Sequence, residues 1–199
     1  MSNEILENIG YYKTKIDNNL LKQLKEEAST AHLNNEKMIS GLSGPGVPEH
    51  YYLKNNEIFR EYIKKCANEY IINNLFILNG IKKNCKLGLN RPWINIQSKN
   101  QFIPNHNHNG LLSYVIWVTI PYDIDKERNE KVKGRNHASC FEFSYQNILG
   151  YNVQKLFKVS KDDEGTLMIF PARLTHCVYP FYTSDDKRIS ISGNIIIND

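Results

Sequence analysis

Along the first third of the chain apolar residues recur every three or four positions, and from Trp93 onward the period drops to two. In "DNNLLKQLKEEA" Leu20, Leu21 and Leu24 share one helical face, and Asp17 is placed to cap the N-terminus. A second helix is predicted after Asn55 or Asn56, with Ile58, Tyr62, Cys66 and Tyr70 repeating at i+4 and Phe59 and Ile63 widening the stripe. Its end is expected near Asn79 and Gly80. Between the helices, "SGLSGPGVPEH" (Ser40 to His50) holds too much Gly and Pro for regular structure and reads as a lid or a connector. The later runs "PWINIQS", "SYVIWVTIP", "CFEFSY", "GTLMIF", "CVYPFY" and "RISISGNIII" are strands. One or two more near "YYL" or "KLFKVS" approach the eight strands of a jelly roll, a double-stranded β-helix. The expected architecture is mainly β with N-terminal helices: one domain over 1–199, in which a mainly helical part, 1–90, packs on a roll formed by 91–199.

The last strand carries the most information. Arg188, Ser190, Ser192 and Asn194 fall on one face of "RISISGNIII", and Ile189, Ile191 and Ile195 on the other. "PWINIQS" behaves alike, with Trp93, Asn95 and Gln97 opposite Ile94 and Ile96, whereas "SYVIWVTI" alternates only in part, with Ser113, Trp117 and Thr119 on its polar side. A half-exposed strand with its polar face in water reads the same way. If the isoleucine faces pack on helices, however, the polar faces line the inside of the roll, and a polar interior in a small β fold marks a site.

Composition narrows the class. A chain of 199 residues, 41% hydrophobic, is long enough for one substantial core. No window approaches the roughly 20 apolar residues of a membrane span, and "MSNEILENIGYY" lacks the basic-then-apolar pattern of a signal peptide, so a cytoplasmic protein is expected. The four cysteines, Cys66, Cys85, Cys140 and Cys177, show no CxxC spacing, which points to free thiols. The net charge of +4 is spread through mixed segments such as "YDIDKERNEKVKGR", so a nucleic-acid partner is not indicated.

Candidate chemistry begins at "HNHNG". His106 and His108, one residue apart at a strand edge, can present two imidazoles to one ion, although two histidines in a turn look the same. His176 follows a later strand and a proline-containing turn, where a closing strand would bring it beside the pair. Arg188 stands 12 residues beyond His176 and is followed by Ser190. An arginine fork suits a carboxylate, and a serine hydroxyl adds a second hydrogen bond. Asn95 and Ser113, polar residues on strands next to this constellation, are further candidate binding residues. His50 beside the Gly/Pro loop and His137 in a charged loop are expected at the surface, and His32 at a helix C-terminus. Trp117 and the aromatic residues of Tyr179 to Tyr182 suit a core as well as a pocket wall. Cys177 is expected to point away from His176 and to be buried.

The order H-x-H, distant His, then R-x-S about a dozen residues on resembles the iron(II)/2-oxoglutarate-dependent dioxygenases. More narrowly, W-x-N-x-Q, H-x-H-x-G-x-x-S-x-V-I-W, F-P-x-x-L-x-H-x-V-Y-P-F-Y and R-I-S-I-S-G-N-I, running from Trp93 to about Ile196, are similar to a group of 2-oxoglutarate/iron oxygenases found in phage and bacterial genomes. The resemblance implies Fe(II) held by His106, His108 and His176, with 2-oxoglutarate and O2 as co-substrates. It gives Arg188 and Ser190 the far carboxylate of 2-oxoglutarate, and it implies an oxidation, most simply a hydroxylation. A phage-encoded member would act in the host cytoplasm. His108 stands where many dioxygenases of the wider superfamily have an acidic ligand, so either the shell is three neutral imidazoles, which also suit Zn(II), or His108 points at substrate or 2-oxoglutarate and leaves a two-histidine site. A three-histidine Zn or Mn hydrolase or cupin-type enzyme, and a jelly-roll module without catalysis, therefore stay open on the residues alone. The substrate is equally open among a protein side chain, a nucleotide and a small metabolite.

Overall fold

In the computed structural model, residues 10–39, 41, 44, 46–73, 85–129 and 136–198 are described. The strands are β1 (Tyr12–Lys15), β2 (Glu49–Tyr52), β3 (Lys86–Leu89), β4 (Trp93–Gln97), β5 (Ile103–His106), β6 (Leu112–Thr119), β7 (Cys140–Gln146), β8 (Asn152–Lys158), β9 (Thr166–Pro171), β10 (Thr175–Val178) and β11 (Arg188–Asn198). The helices are α1 (Asn18–Ser29), α2 (Ala31–Asn34), α3 (Glu57–Ile72) and α4 (Ile124–Asn129). One sheet runs β1-β9-β6-β11-β4-β2 with β3 on the end of β11, the other β5-β10-β7-β8, and every pairing is antiparallel. Successive strands from β4 to β11 thus fill two facing sheets as a jelly roll, the double-stranded β-helix that the alternating runs predict. The N-terminal part is less purely helical than its periodicity suggests. Its β1 and β2 extend the large sheet at its two edges.

Two apolar layers hold the roll. Asp17 caps α1 by accepting from the backbone of Asn19 at 2.8 Å and Leu20 at 3.4 Å. That helix buries Leu20, Leu24 and Ala28, and α3 buries Phe59, Ile63, Cys66, Ala67, Tyr70 and Ile71. These side chains meet Ile94, Ile116, Ile191 and Ile195 on the outer face of the large sheet. Each such aliphatic side chain contributes about 1.5–3 kcal/mol by leaving water. The stripe on α3 centres on Phe59, Ile63, Cys66 and Tyr70. Ile58, predicted to lie on it, is 76% exposed, because the sheet fits the face one residue further on. Asn56 is the cap, accepting from Phe59 N at 3.1 Å, and the predicted end near Asn79 and Gly80 lies outside the described residues.

Between the sheets lies a second layer of Val115, Trp117, Phe141, Phe143, Met168, Phe170 and Phe181. Trp117 and Phe181 therefore belong to the core. Val115, Phe141 and Phe170 of this layer also line a cavity. In β11, Ser190 pairs with Asn95 on one side and Trp117 on the other, and Asn194 pairs with Ser113. With Ile191 and Ile195 packed on the helices, the polar face of the strand accordingly turns inward.

Candidate metal centre

His106 and His176 are direct partners across the β5–β10 ladder, so both imidazoles leave the small sheet on one side. His108 lies two residues past the end of β5, where its backbone N–H donates to the Ala172 carbonyl at 2.9 Å. The chain then turns into β6 at Gly110, whose φ is +130° and where a Cβ would come 3.0 Å from the Ile195 carbonyl oxygen. The glycine of "HNHNG" is thus needed to close the turn that swings His108 back over the pair.

One ring nitrogen from each of His106, His108 and His176 lies within 4.8 Å of the others. The ring centroids are 5.0, 4.2 and 5.2 Å apart for the pairs 106–108, 106–176 and 108–176. Nδ1 of His106 is 2.7 Å from the Pro104 carbonyl and Nδ1 of His176 is 2.9 Å from the Leu174 carbonyl. A carbonyl only accepts, so Nδ1 carries the proton in both rings and Nε2 keeps its lone pair for a metal. Burial holds His176 down at about 3 and His108 at about 4, with the charge of neighbouring histidines adding to the effect. Burial also lowers His106. All three are therefore neutral near pH 7, the form in which imidazole binds metals.

The triad faces a cavity of about 330 Å³ whose walls include Trp93, Asn95, Ser113, Ser190, Ser192 and Asn194. Asn95, Ser113 and Ser190, singled out by sequence, all line it. Asn95 Nδ2 donates to Ser190 Oγ at 3.1 Å and Ser192 Oγ at 3.0 Å, and Ser113 Oγ donates to Asn194 Oδ1 at 2.7 Å. Met38 and Gly41 of the segment preceding β2 also line the cavity.

The surroundings differ from the sequence reading at three points. His50 is not at the surface. It pairs with Asn95 across β2–β4, is 8% exposed and lines the same cavity, and burial lowers its pKa. Arg188 is buried but is not among the residues lining the cavity. Its guanidinium donates to Gln97, Tyr122, Ser139 and Tyr179. His137 is half-buried, its ring 4.9 Å from that of Tyr179, away from the triad. Cys177 is buried next to His176, and all four cysteines are free.

A profile of the family described as "Putative 2OG-Fe(II) oxygenase" matches residues 91–194, from just before β4 into β11. The chain belongs to this 2OG-Fe(II) oxygenase family. Iron(II) and 2-oxoglutarate are the cofactor and co-substrate of such enzymes, and the triad, with three convergent neutral imidazoles in a pocket, fits the metal. Among solved structures the fold is shared with a prolyl-4-hydroxylase from Pseudomonas putida at 14% identity, covering 93% of this chain and 91% of that one with a TM-score of 0.58. A prolyl hydroxylase from Trichoplax adhaerens, in complex with a hypoxia inducible factor peptide, aligns at 12% identity, 96% and 84% coverage and a TM-score of 0.59. The epimerase SnoN of nogalamycin biosynthesis, in complex with Fe3+, alpha ketoglutarate and nogalamycin RO, aligns at 14% identity, 94% and 79% coverage and a TM-score of 0.59. No curated protein matches the chain. No helix among the described residues is long and apolar enough to cross a membrane.

Proposed function

We propose that this 2OG-Fe(II) oxygenase is a hydroxylase, working as a single cytoplasmic domain, that couples oxidative decarboxylation of 2-oxoglutarate to oxidation of a group presented at the cavity mouth. The observation that carries the reading is the convergence of His106, His108 and His176 on one point inside a polar cavity. Bound there, Fe(II) would supply O2 activation. The protein's own part is to place and shield. Three side-chain ligands leave positions open for a bidentate 2-oxo acid and O2, unlike a closed structural site. The carbonyls of Pro104 and Leu174 fix the ring orientation of His106 and His176. Trp93, 5.6 Å from the His108 ring, and Phe170, 5.0 Å from the His176 ring, exclude water from the metal side. Asn95, Ser113 and Ser190 supply the polar wall for the co-substrate.

A cavity of about 330 Å³ that also holds 2-oxoglutarate leaves space for a small reacting group rather than a large ligand. We therefore read the substrate as a side chain of a peptide or protein, or the edge of a small molecule, that enters by the Met38 and Gly41 rim. The four free cysteines agree with a reducing compartment. The test is succinate formation from 2-oxoglutarate with added Fe(II), alone and with peptide and metabolite pools. Fe(II)-dependent succinate that disappears in His176→Ala is expected. Turnover of His176→Ala at the wild-type rate would remove the reading.

A further inference from the structure

We infer that the turn between β7 and β8 docks on the surface of an anionic lipid bilayer. Ile148 and Leu149 enter the boundary between headgroups and acyl chains, Tyr145 and Tyr151 sit among the headgroups, and Lys155 and Arg173 stand behind them against the negative surface. Docking needs neither the metal nor 2-oxoglutarate, so its failure is distinct from failure of the proposed turnover.

The turn displays what other segments hide. Ile148, Leu149 and Tyr151 are 80%, 74% and 67% exposed, and Tyr145 is 37% exposed. Exposed apolar residues scattered singly are ordinary, whereas a cluster on one turn marks an interaction surface. Burial does not shape this turn. Gly150 takes a φ of +80° and its N–H donates to the Asn147 carbonyl at 2.9 Å, closing a β-turn through a left-handed glycine. Asn147 Oδ1 accepts from the N–H groups of Leu149 and Tyr151, each at 3.0 Å, and Asn147 N–H donates to the Tyr151 carbonyl at 3.0 Å.

Those bonds are what a segment needs in order to leave water. A backbone N–H that enters an apolar layer without a partner costs several kcal/mol on the order of a lost hydrogen bond and its desolvation. Here the N–H groups of Asn147, Leu149, Gly150 and Tyr151 are already paired inside the turn. The apex can therefore enter lipid while only its side chains change surroundings.

Charge selects the occupant. From Phe143 to Ser160 the chain holds no Asp or Glu, and it carries Lys155 and Lys158 exposed on β8. Arg173 is exposed in the turn before β10, and Thr175 of β10 pairs with Ser144 of β7, which puts that turn at the same end of the sheet. Among the described residues neither Lys155 nor Arg173 has an acidic partner. Aliphatic apex, tyrosines, then cations is the order in which a bilayer presents its hydrocarbon, interface and anionic surface. A second copy fits less well. Four side chains on one turn fall short of the roughly 800 Å² per partner of a stable interface, and β8 would bring its lysines against their own copies. Phe143 lies opposite His176, so the turn stands about 15 Å along the strand from the triad, and a docked chain holds its metal centre beside the membrane.

The test is flotation of the full chain with vesicles of phosphatidylcholine alone and of equimolar phosphatidylcholine and phosphatidylserine, with Tm and the oligomeric state measured alongside. The wild type is expected to float with the mixed vesicles. Ile148→Ser/Leu149→Ser should weaken that partition by about tenfold or more at unchanged Tm, because the substituted side chains are exposed. Lys155→Gln/Arg173→Gln should weaken it by about tenfold on the mixed vesicles and leave phosphatidylcholine alone within about twofold. No flotation of the wild type overturns the inference. Flotation that Ile148→Ser/Leu149→Ser retains in full also overturns it, since charge alone would then be responsible. A wild-type dimer that the serine variant dissolves, without flotation, assigns the turn to a second copy and overturns it as well.

Discussion

Trp93 joins the metal centre to the polar wall: its ring lies 5.6 Å from that of His108, and its indole N–H donates to Asn95 Oδ1 at 3.1 Å. The proposed ligand His108 and the amide that donates to Ser190 and Ser192 are thus braced by one buried side chain on β4. Where the ligand set changes, the charge felt by the co-substrate changes with it.

His108→Asp tests that coupling. A carboxylate adds an anion to the shell, so Fe(II) is expected to bind more tightly. With Fe(II) bound, the site then offers one net positive charge instead of two to the dianionic 2-oxoglutarate. Its 2-oxoglutarate affinity is expected to fall by about tenfold, or about 1.4 kcal/mol, in an anaerobic visible-absorption titration of the Fe(II)-loaded protein.

Acidity acts through the same histidines. Burial holds His176 at about 3 and His108 at about 4, against about 6.5 in an unfolded chain. A folded-state pKa below the unfolded one contributes stability in full above pH about 6.5, and that stability is lost as pH falls toward the folded values. The metal-free protein is expected to lose on the order of a few kcal/mol between pH 7 and pH 4, read as a falling Tm. His176→Leu should flatten that slope.

Gln97→Leu tests how the buried Arg188 is held. Gln97 Oε1 accepts two of the five guanidinium N–H groups of Arg188, whose side chain is buried. Removing that acceptor should cost about 2–4 kcal/mol, read by denaturant unfolding, because a buried charge loses partners. Fe(II) binding should be unchanged.

Much of this architecture is legible in the sequence because its signals are local. The alternation in "RISISGNIII" puts Ser190, Ser192 and Asn194 on one face without reference to any other strand, though not which way that face turns, and Asp17 and Asn56 mark helix starts through their own side chains. The triad is legible through H-x-H and a later histidine beside a strand that can close on the pair. What escapes is set by distant partners. His50 sits in a strand of only four residues after a Gly/Pro loop, too short for a period, and its burial comes from pairing with β4. Arg188 keeps its position in the pattern, yet its fork is claimed by Gln97, 91 residues away. The stripe on α3 is turned by one residue because the sheet beneath it, not the helix, selects the buried face. A resemblance can transfer the identity of a residue, but not the acceptors that surround it.

The central claim is that three imidazoles hold one Fe(II) ion at the mouth of the roll. Anaerobic Fe(II) binding to the wild type and to His106→Ala, His108→Ala and His176→Ala tests it most directly. One saturable site in the wild type, weakened by about a hundredfold or more in each variant, is the predicted result. Wild-type affinity in His108→Ala, or no saturable site in the wild type, would contradict it.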